Sequence, residues 1–126
     1  MEIIRKEGVV GWLVRQAKED FDFKGYSIKK NDRIMLLMSS ANRDERHFEN
    51  AETFDIRRHN VKQHLGFGKG KHYCLGASLA RMEISIVFNT LFERFTEFQI
   101  DLDNIELNDI MLLNYTGLQN LPVKLE

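Results

Sequence analysis

Cys74 is the single cysteine of this 126-residue chain, and it stands in the run Phe67-Gly68-Lys69-Gly70-Lys71-His72-Tyr73-Cys74-Leu75-Gly76. A lone cysteine in a globular chain is most often a small buried hydrophobe. The neighbours of this one point to a different use. Gly68 and Gly70 admit positive φ and, lacking a Cβ, let the backbone approach a flat ligand closely. Gly76 keeps bulk away from the sulfur. Apolar spacing after the loop predicts a helix starting near Leu75 or Gly76. Its free N–H groups and positive dipole end would face the sulfur and favour thiolate over thiol. Phe67 would cover the sulfur and keep water out. A thiolate presented in this way can serve as the axial ligand of haem iron, and N–H groups aimed at it would tune the iron's potential.

Other chemistries find less support. Zinc needs about four close nitrogen or sulfur ligands, and His72 with Cys74, two residues apart, cannot span such a set. A cysteine nucleophile assisted by His72 lacks a third, orienting group. The chain has no Walker loop, no serine elbow and no paired carboxylates.

The decapeptide reads F-x-x-G-x-H-x-C-x-G, and it resembles the cysteine-loop signature of the haem-thiolate monooxygenases, the cytochrome P-450 superfamily. Ala77-Ser78-Leu79-Ala80-Arg81-Met82-Glu83 is similar to the helix that follows in soluble bacterial members. The resemblance extends over nearly the whole chain. Glu2-Ile3-Ile4-Arg5 reads E-x-x-R, like the family's buried pair on its K helix, and the spacing puts both side chains on one helix face. The stretch from Val9 to Arg15 resembles the strand that follows. Ala41-Asn42-Arg43-Asp44 and Phe54-Asp55 resemble the meander before the cysteine loop. Residues 116–123 resemble the substrate-lining turn and last strand.

The resemblance implies an α+β fold: the C-terminal part of the cytochrome P-450 fold, with the end of the K helix, small β-sheets, meander, Cys loop, long L helix and C-terminal β hairpin. It implies haem b with Cys74 as the metal ligand. His72 and Arg15 would hold its propionates, and Phe67, Gly68, Gly76 and Ala80 would lie against it. Glu2 and Arg5 would be a structural pair, and Val10, Leu13, Thr116 and Gly117 would line substrate. No residue reads as a catalytic proton donor. The family commonly has proline where this chain has Val9, Glu45 and Ala51, which predicts a looser meander. Thr53 stands where many members place a third partner for the Glu–Arg pair. Gly66 replaces a commoner small residue.

Around these residues the pattern predicts a helix end over 1–6, strands over 9–16 and 33–37, and a hairpin turning at Lys24-Gly25. A short helix follows to Asn42. Residues 43–66 show no periodicity, and a long helix over 76–95 has Phe88, Phe92 and Phe95 in its core. A strand over 98–102 and a hairpin over 110–123 complete the reading. The whole, 1–126, reads as a single partial domain, the haem-binding third of a longer protein without its oxygen-activating helix.

Composition is ordinary for a globular chain, with 43% hydrophobic and 29% charged residues, and a net charge of −1 argues for neither nucleic acid nor membrane. No signal peptide or long apolar run appears, a lone cysteine suits a reducing compartment, and the resemblance to soluble bacterial members implies a cytoplasmic protein. Charge is nevertheless uneven. From Ile56 to Met82 there is no acidic residue, while Arg57, Arg58, Lys62, Lys69, Lys71 and Arg81 all fall there with His59, His64 and His72. This predicts a basic proximal face that steers an acidic electron donor, and the family resemblance implies that the donor is of ferredoxin or flavodoxin type. The resulting expectation is part of a monooxygenase that inserts one atom of O2 into a small apolar organic substrate. The alternative is a non-enzymatic remnant that binds haem weakly or not at all.

Overall fold

The computed structural model describes residues 1–107 and 117–126. It contains two compact units, Glu2–Gly66 and Phe67–Glu126, with Met1 grouped with the second.

The first unit opens with helix α1 (Glu2–Lys6). Strand β1 (Trp12–Gln16) pairs antiparallel with β4 (Arg33–Leu37), in a register running from Trp12↔Leu37 to Gln16↔Arg33. The strand is shorter than the predicted 9–16, with only an isolated bridge at Val10 before it. Between them β2 (Phe21–Phe23) and β3 (Tyr26–Ile28) form a hairpin. Lys24 (φ 52°) and Gly25 (φ 86°) both take positive φ, the type I′ geometry whose twist suits two-residue hairpins. The Asp22 carboxylate braces the turn by accepting the Gly25 N–H at 3.0 Å. Helix α2 (Met38–Asn42) follows β4 directly, with the Ser39 N–H and hydroxyl both donating to the Gly11 carbonyl.

Residues 43–66 carry only one 3-10 turn, Val61–Gln63. What orders this stretch is polar. Arg58 donates to the carbonyls of Glu49, Asn50 and Thr53, and the Asn42 side chain accepts the Leu65 N–H at 2.7 Å. Phe48, Ala51, Met38 and Ala17 are the buried apolar residues of this unit.

The second unit begins with the loop around Cys74, including a 3-10 turn at Gly70–His72, and continues into α3 (Ala77–Arg94). Strand β5 (Phe98–Ile100) pairs antiparallel with β8 (Val123–Leu125), and β6 (Glu106–Leu107) pairs with β7 (Leu118–Asn120). The predicted helix is present, shorter by a residue at each end. Its aromatics are not the core that the periodicity suggested. Phe88 and Phe92 are exposed, stacking at 6.0 Å on each other while Phe92 meets Phe98 edge-on at 5.5 Å. They cluster without being enclosed, because few side chains among the described residues cover that face. Half of the predicted hairpin over 110–123, residues 110–116, lies outside the described residues. No helix among them is long and apolar enough to cross a membrane.

Candidate functional site

In the first unit the E-x-x-R pair forms as its spacing predicts. Glu2 and Arg5 sit one turn apart on α1, and the guanidinium grips the carboxylate with both arms, Nε to Oε2 at 2.8 Å and Nη2 to Oε1 at 2.6 Å. Arg5 is fully buried and Glu2 nearly so. A buried ion pair is costly unless its remaining donors and acceptors are met. Here Arg5 also donates to the Asn42 carbonyl at 2.7 Å, and its Cζ lies 5.3 Å from the centroid of the buried Phe48 ring.

The third member is Arg58, whose Nε reaches Glu2 Oε1 at 3.1 Å. The family pattern pointed to position 53, but Thr53 enters only through its carbonyl, which accepts from both arginines. Two guanidiniums share one carboxylate, and the surplus positive charge is met by carbonyl oxygens. The Arg5 hydrogen bonds, followed by those from Arg58 and the Asp55 backbone, hold the Glu2 carboxyl at about 2 against the opposing effect of burial.

This corrects the electrostatic reading of the sequence. Arg58 and His64, counted there in an exposed basic stretch, are buried at 8% and 7% exposure. Arg58 is drawn inside because a buried carboxylate with four lone-pair sites needs more donors than one arginine supplies. Of the stretch in this unit, Arg57, His59 and Lys62 remain at the surface. Nothing in residue spacing marked Arg58 or Asn42 as structural. The available signal was chemical: one carboxylate committed to burial.

Gly66, a departure from the family pattern, has a packing reason. A Cβ there would fall 2.7 Å from the Ile4 carbonyl oxygen and 2.8 Å from its Cγ2, and one at Gly8 would fall 2.8 Å from the same oxygen. The Gly66 N–H is held by His64 Nδ1 at 3.0 Å. Val10, Leu13 and Arg15, predicted to meet substrate and haem, lie on or beside β1 and are half-buried. Arg15 Nη1 donates to the Val14 carbonyl at 2.9 Å.

In the second unit the predicted cofactor residues share one loop and the helix it feeds. The Cys74 N–H donates to the Phe67 carbonyl at 2.9 Å and the Tyr73 N–H to Gly70 at 3.0 Å, which closes the loop on itself. Gly68 (φ 71°) and Gly70 (φ 75°) make the turns that permit this. The Cys74 carbonyl accepts from Ala77, the first residue of α3, so the sulfur is carried immediately before a helix N-terminus. Cys74 is exposed. A Cβ on Gly76 would stand 4.0 Å from its Sγ, an ordinary contact, so packing against the sulfur does not itself demand glycine there. His72 is exposed on the 3-10 turn, and Ala80 is half-buried in the first turn of α3. Gly117 lies just before β7, whereas Thr116 lies outside the described residues.

Among the described residues no three His, Cys, Asp or Glu side chains could hold a metal ion together. A single exposed soft sulfur in a glycine-containing loop suits a metal that arrives with its own ligands. Haem meets that requirement: the porphyrin supplies four nitrogens and leaves an axial position for one thiolate. The donor set fits the group.

The cytochrome P450 family model matches residues 1–125. The polyketide biosynthesis cytochrome P450 PksS of Bacillus subtilis is 44% identical over 119 residues, which cover 93% of this chain and 29% of that protein. The biotin biosynthesis cytochrome P450 of the same organism is 39% identical over 125 residues, 99% of this chain and 31% of its own length. Among solved structures, P450BioI in complex with an acyl carrier protein ligated to hexadec-9Z-enoic acid matches 99% of this chain and 32% of its own, at 38% identity and a TM-score of 0.91. The chain belongs to the cytochrome P450 family. It spans about a third of the length of these relatives.

Proposed function

We propose that this chain carries the thiolate side of the haem site of a cytochrome P450 monooxygenase, with Cys74 as the axial ligand. The observation that carries the proposal is the Cys74 loop: a lone exposed sulfur, closed by the Cys74–Phe67 backbone bond and set directly before α3. When bound, haem supplies the redox iron at which one atom of O2 is inserted into substrate and the other leaves as water.

The protein's part is to hold and shield. Phe67, Gly68, Gly76 and Ala80 bound the sulfur side, with Phe67 excluding water from it. His72 and Arg15 are assigned to the propionates by charge-assisted hydrogen bonds. Glu2 and Arg5, joined by Arg58, keep their structural role. Val10, Leu13, Thr116 and Gly117 are assigned to the substrate side. An apolar organic substrate is supported by the fatty acyl group carried in the P450BioI complex. Electrons are assigned to a ferredoxin- or flavodoxin-type donor steered by the basic stretch 56–82, in which Lys69 and Lys71 of the Cys74 loop are exposed.

The test is spectroscopic. The haem-loaded chain, reduced and exposed to carbon monoxide, is expected to show the far-red Soret band of thiolate ligation, and Cys74→Ala is expected to lose it. Persistence of the band in that variant would refute the ligand. The second reading is a non-enzymatic remnant that binds haem weakly or not at all. Consumption of NAD(P)H with a donor system and an apolar substrate would decide against it.

A further inference from the structure

We propose that Arg81 is the positioning residue of the Cys74 loop, acting on the sulfur-bearing segment through Phe67 and Tyr73. This rests on the haem-thiolate reading above and adds to it a residue that the cysteine signature, Phe67 to Gly76, does not include.

Arg81 projects from the second turn of α3 and is half-buried. Its guanidinium carbon stands 4.8 Å from the Phe67 ring centroid, within cation–π range. Its Nη2 donates to the Tyr73 hydroxyl at 2.8 Å. The Phe67 and Tyr73 rings meet edge-on at 6.3 Å. Phe67 opens the loop, its carbonyl accepts the Cys74 N–H, and Tyr73 is the residue before the cysteine. One planar cation therefore grips both ends of the segment whose closure sets where the sulfur is held. Lysine could keep the charge but not both contacts, because stacking and sideways donation at once need the flat guanidinium fork.

Two consequences follow. First, Arg81 is engaged within the loop, so it is a poor candidate for steering a partner, although the sequence groups it with the free basic residues. Second, it fixes a positive charge beside the loop that carries a negative ligand. A fixed cation favours addition of an electron at a nearby metal, so its removal shifts the reduction potential downward.

The experiment compares Arg81→Gln, Arg81→Lys and Tyr73→Phe in the full chain. In the haem-free protein, amide hydrogen exchange at Cys74 reports whether the Cys74–Phe67 bond stays closed. Loss of the stacked and hydrogen-bonded contact is expected to speed that exchange about tenfold in both Arg81 variants. Tyr73→Phe is expected to give a smaller rise, with exchange at Ile86 on α3 unchanged throughout. In the haem-loaded protein, Arg81→Gln is expected to lower the reduction potential while Arg81→Lys keeps it. Unchanged Cys74 exchange in Arg81→Gln, or an equal fall in potential in the lysine variant, would overturn the proposal. If the Arg81 variants fail to fold, Tyr73→Phe decides: faster Cys74 exchange supports the clamp and unchanged exchange removes it. If the parent chain takes up no haem, the ligand reading falls, and Cys74 exchange still decides for or against Arg81.

Discussion

A methyl group added at Gly25 would extend into open space, whereas one added at Gly66 would lie 2.7 Å from a backbone oxygen of Ile4. The two glycines are needed for different reasons, and substitution separates them. At Gly25 the demand is conformational, a φ of 86°, and Gly25→Ala is expected to cost about 1 kcal/mol. At Gly66 the obstacle is an α1 carbonyl that cannot rotate aside, so Gly66→Ala is expected to cost more, about 2–3 kcal/mol. Urea unfolding of the two variants checks the order. Equal midpoints would mean that the packing at Gly66 gives way freely. Gly25 was legible because Lys24-Gly25 separates two alternating runs, and turn chemistry is local. Gly66 was not, because its constraint comes from Ile4, 62 positions away in sequence, and appeared only as a departure from the family pattern.

At the scale of elements, α1 and the irregular segment 43–66 meet at one carboxylate. Glu2→Gln leaves two buried guanidiniums facing carbonyl dipoles alone, and it is expected to cost roughly 3–5 kcal/mol. Chemical denaturation of the full chain measures this, and a loss below about 1 kcal/mol would show that the carbonyls suffice. The same carboxylate sets an acid response. Its folded value, about 2, is depressed from 4.5, so its contribution is fully present above pH 4.5 and is lost as pH falls through 2. A depression of that size corresponds to roughly 3 kcal/mol. Far-UV circular dichroism is therefore expected to show stability falling between pH 4.5 and pH 2, with the fall much smaller in Glu2→Gln. Asp44 is held at a similarly low value by Arg46, but it is solvent-screened and adds little to that window. Half of this network was legible, since E-x-x-R is a local pattern. Arg58 was not, because an arginine in a basic run looks the same whether it is solvated or buried.

The described residues bury little apolar surface for their composition. Only five apolar residues among those described are buried, and Leu79, Met82, Ile86, Val87, Phe88 and Phe92 of α3 are all exposed. A helix apolar on several sides is one suited to the interior of a larger assembly. The full chain is accordingly expected to bind the dye ANS with strong fluorescence, and Phe88→Ser with Phe92→Ser is expected to weaken it. Fluorescence no stronger than that of a well-packed protein would show that these faces close in solution. The helix itself was legible from its periodicity, whereas its exposure was not. Hydrophobic spacing states which side chains seek cover, and nothing in it says whether this length of chain provides that cover. Cys74 adds a simpler consequence. Because it is exposed and no second thiol exists, any disulfide between copies must be a 74–74 bridge, and each one withdraws two of the sulfurs proposed to bind iron. The band of doubled mass on a non-reducing gel would then be a direct inverse measure of how much of a preparation can still be loaded.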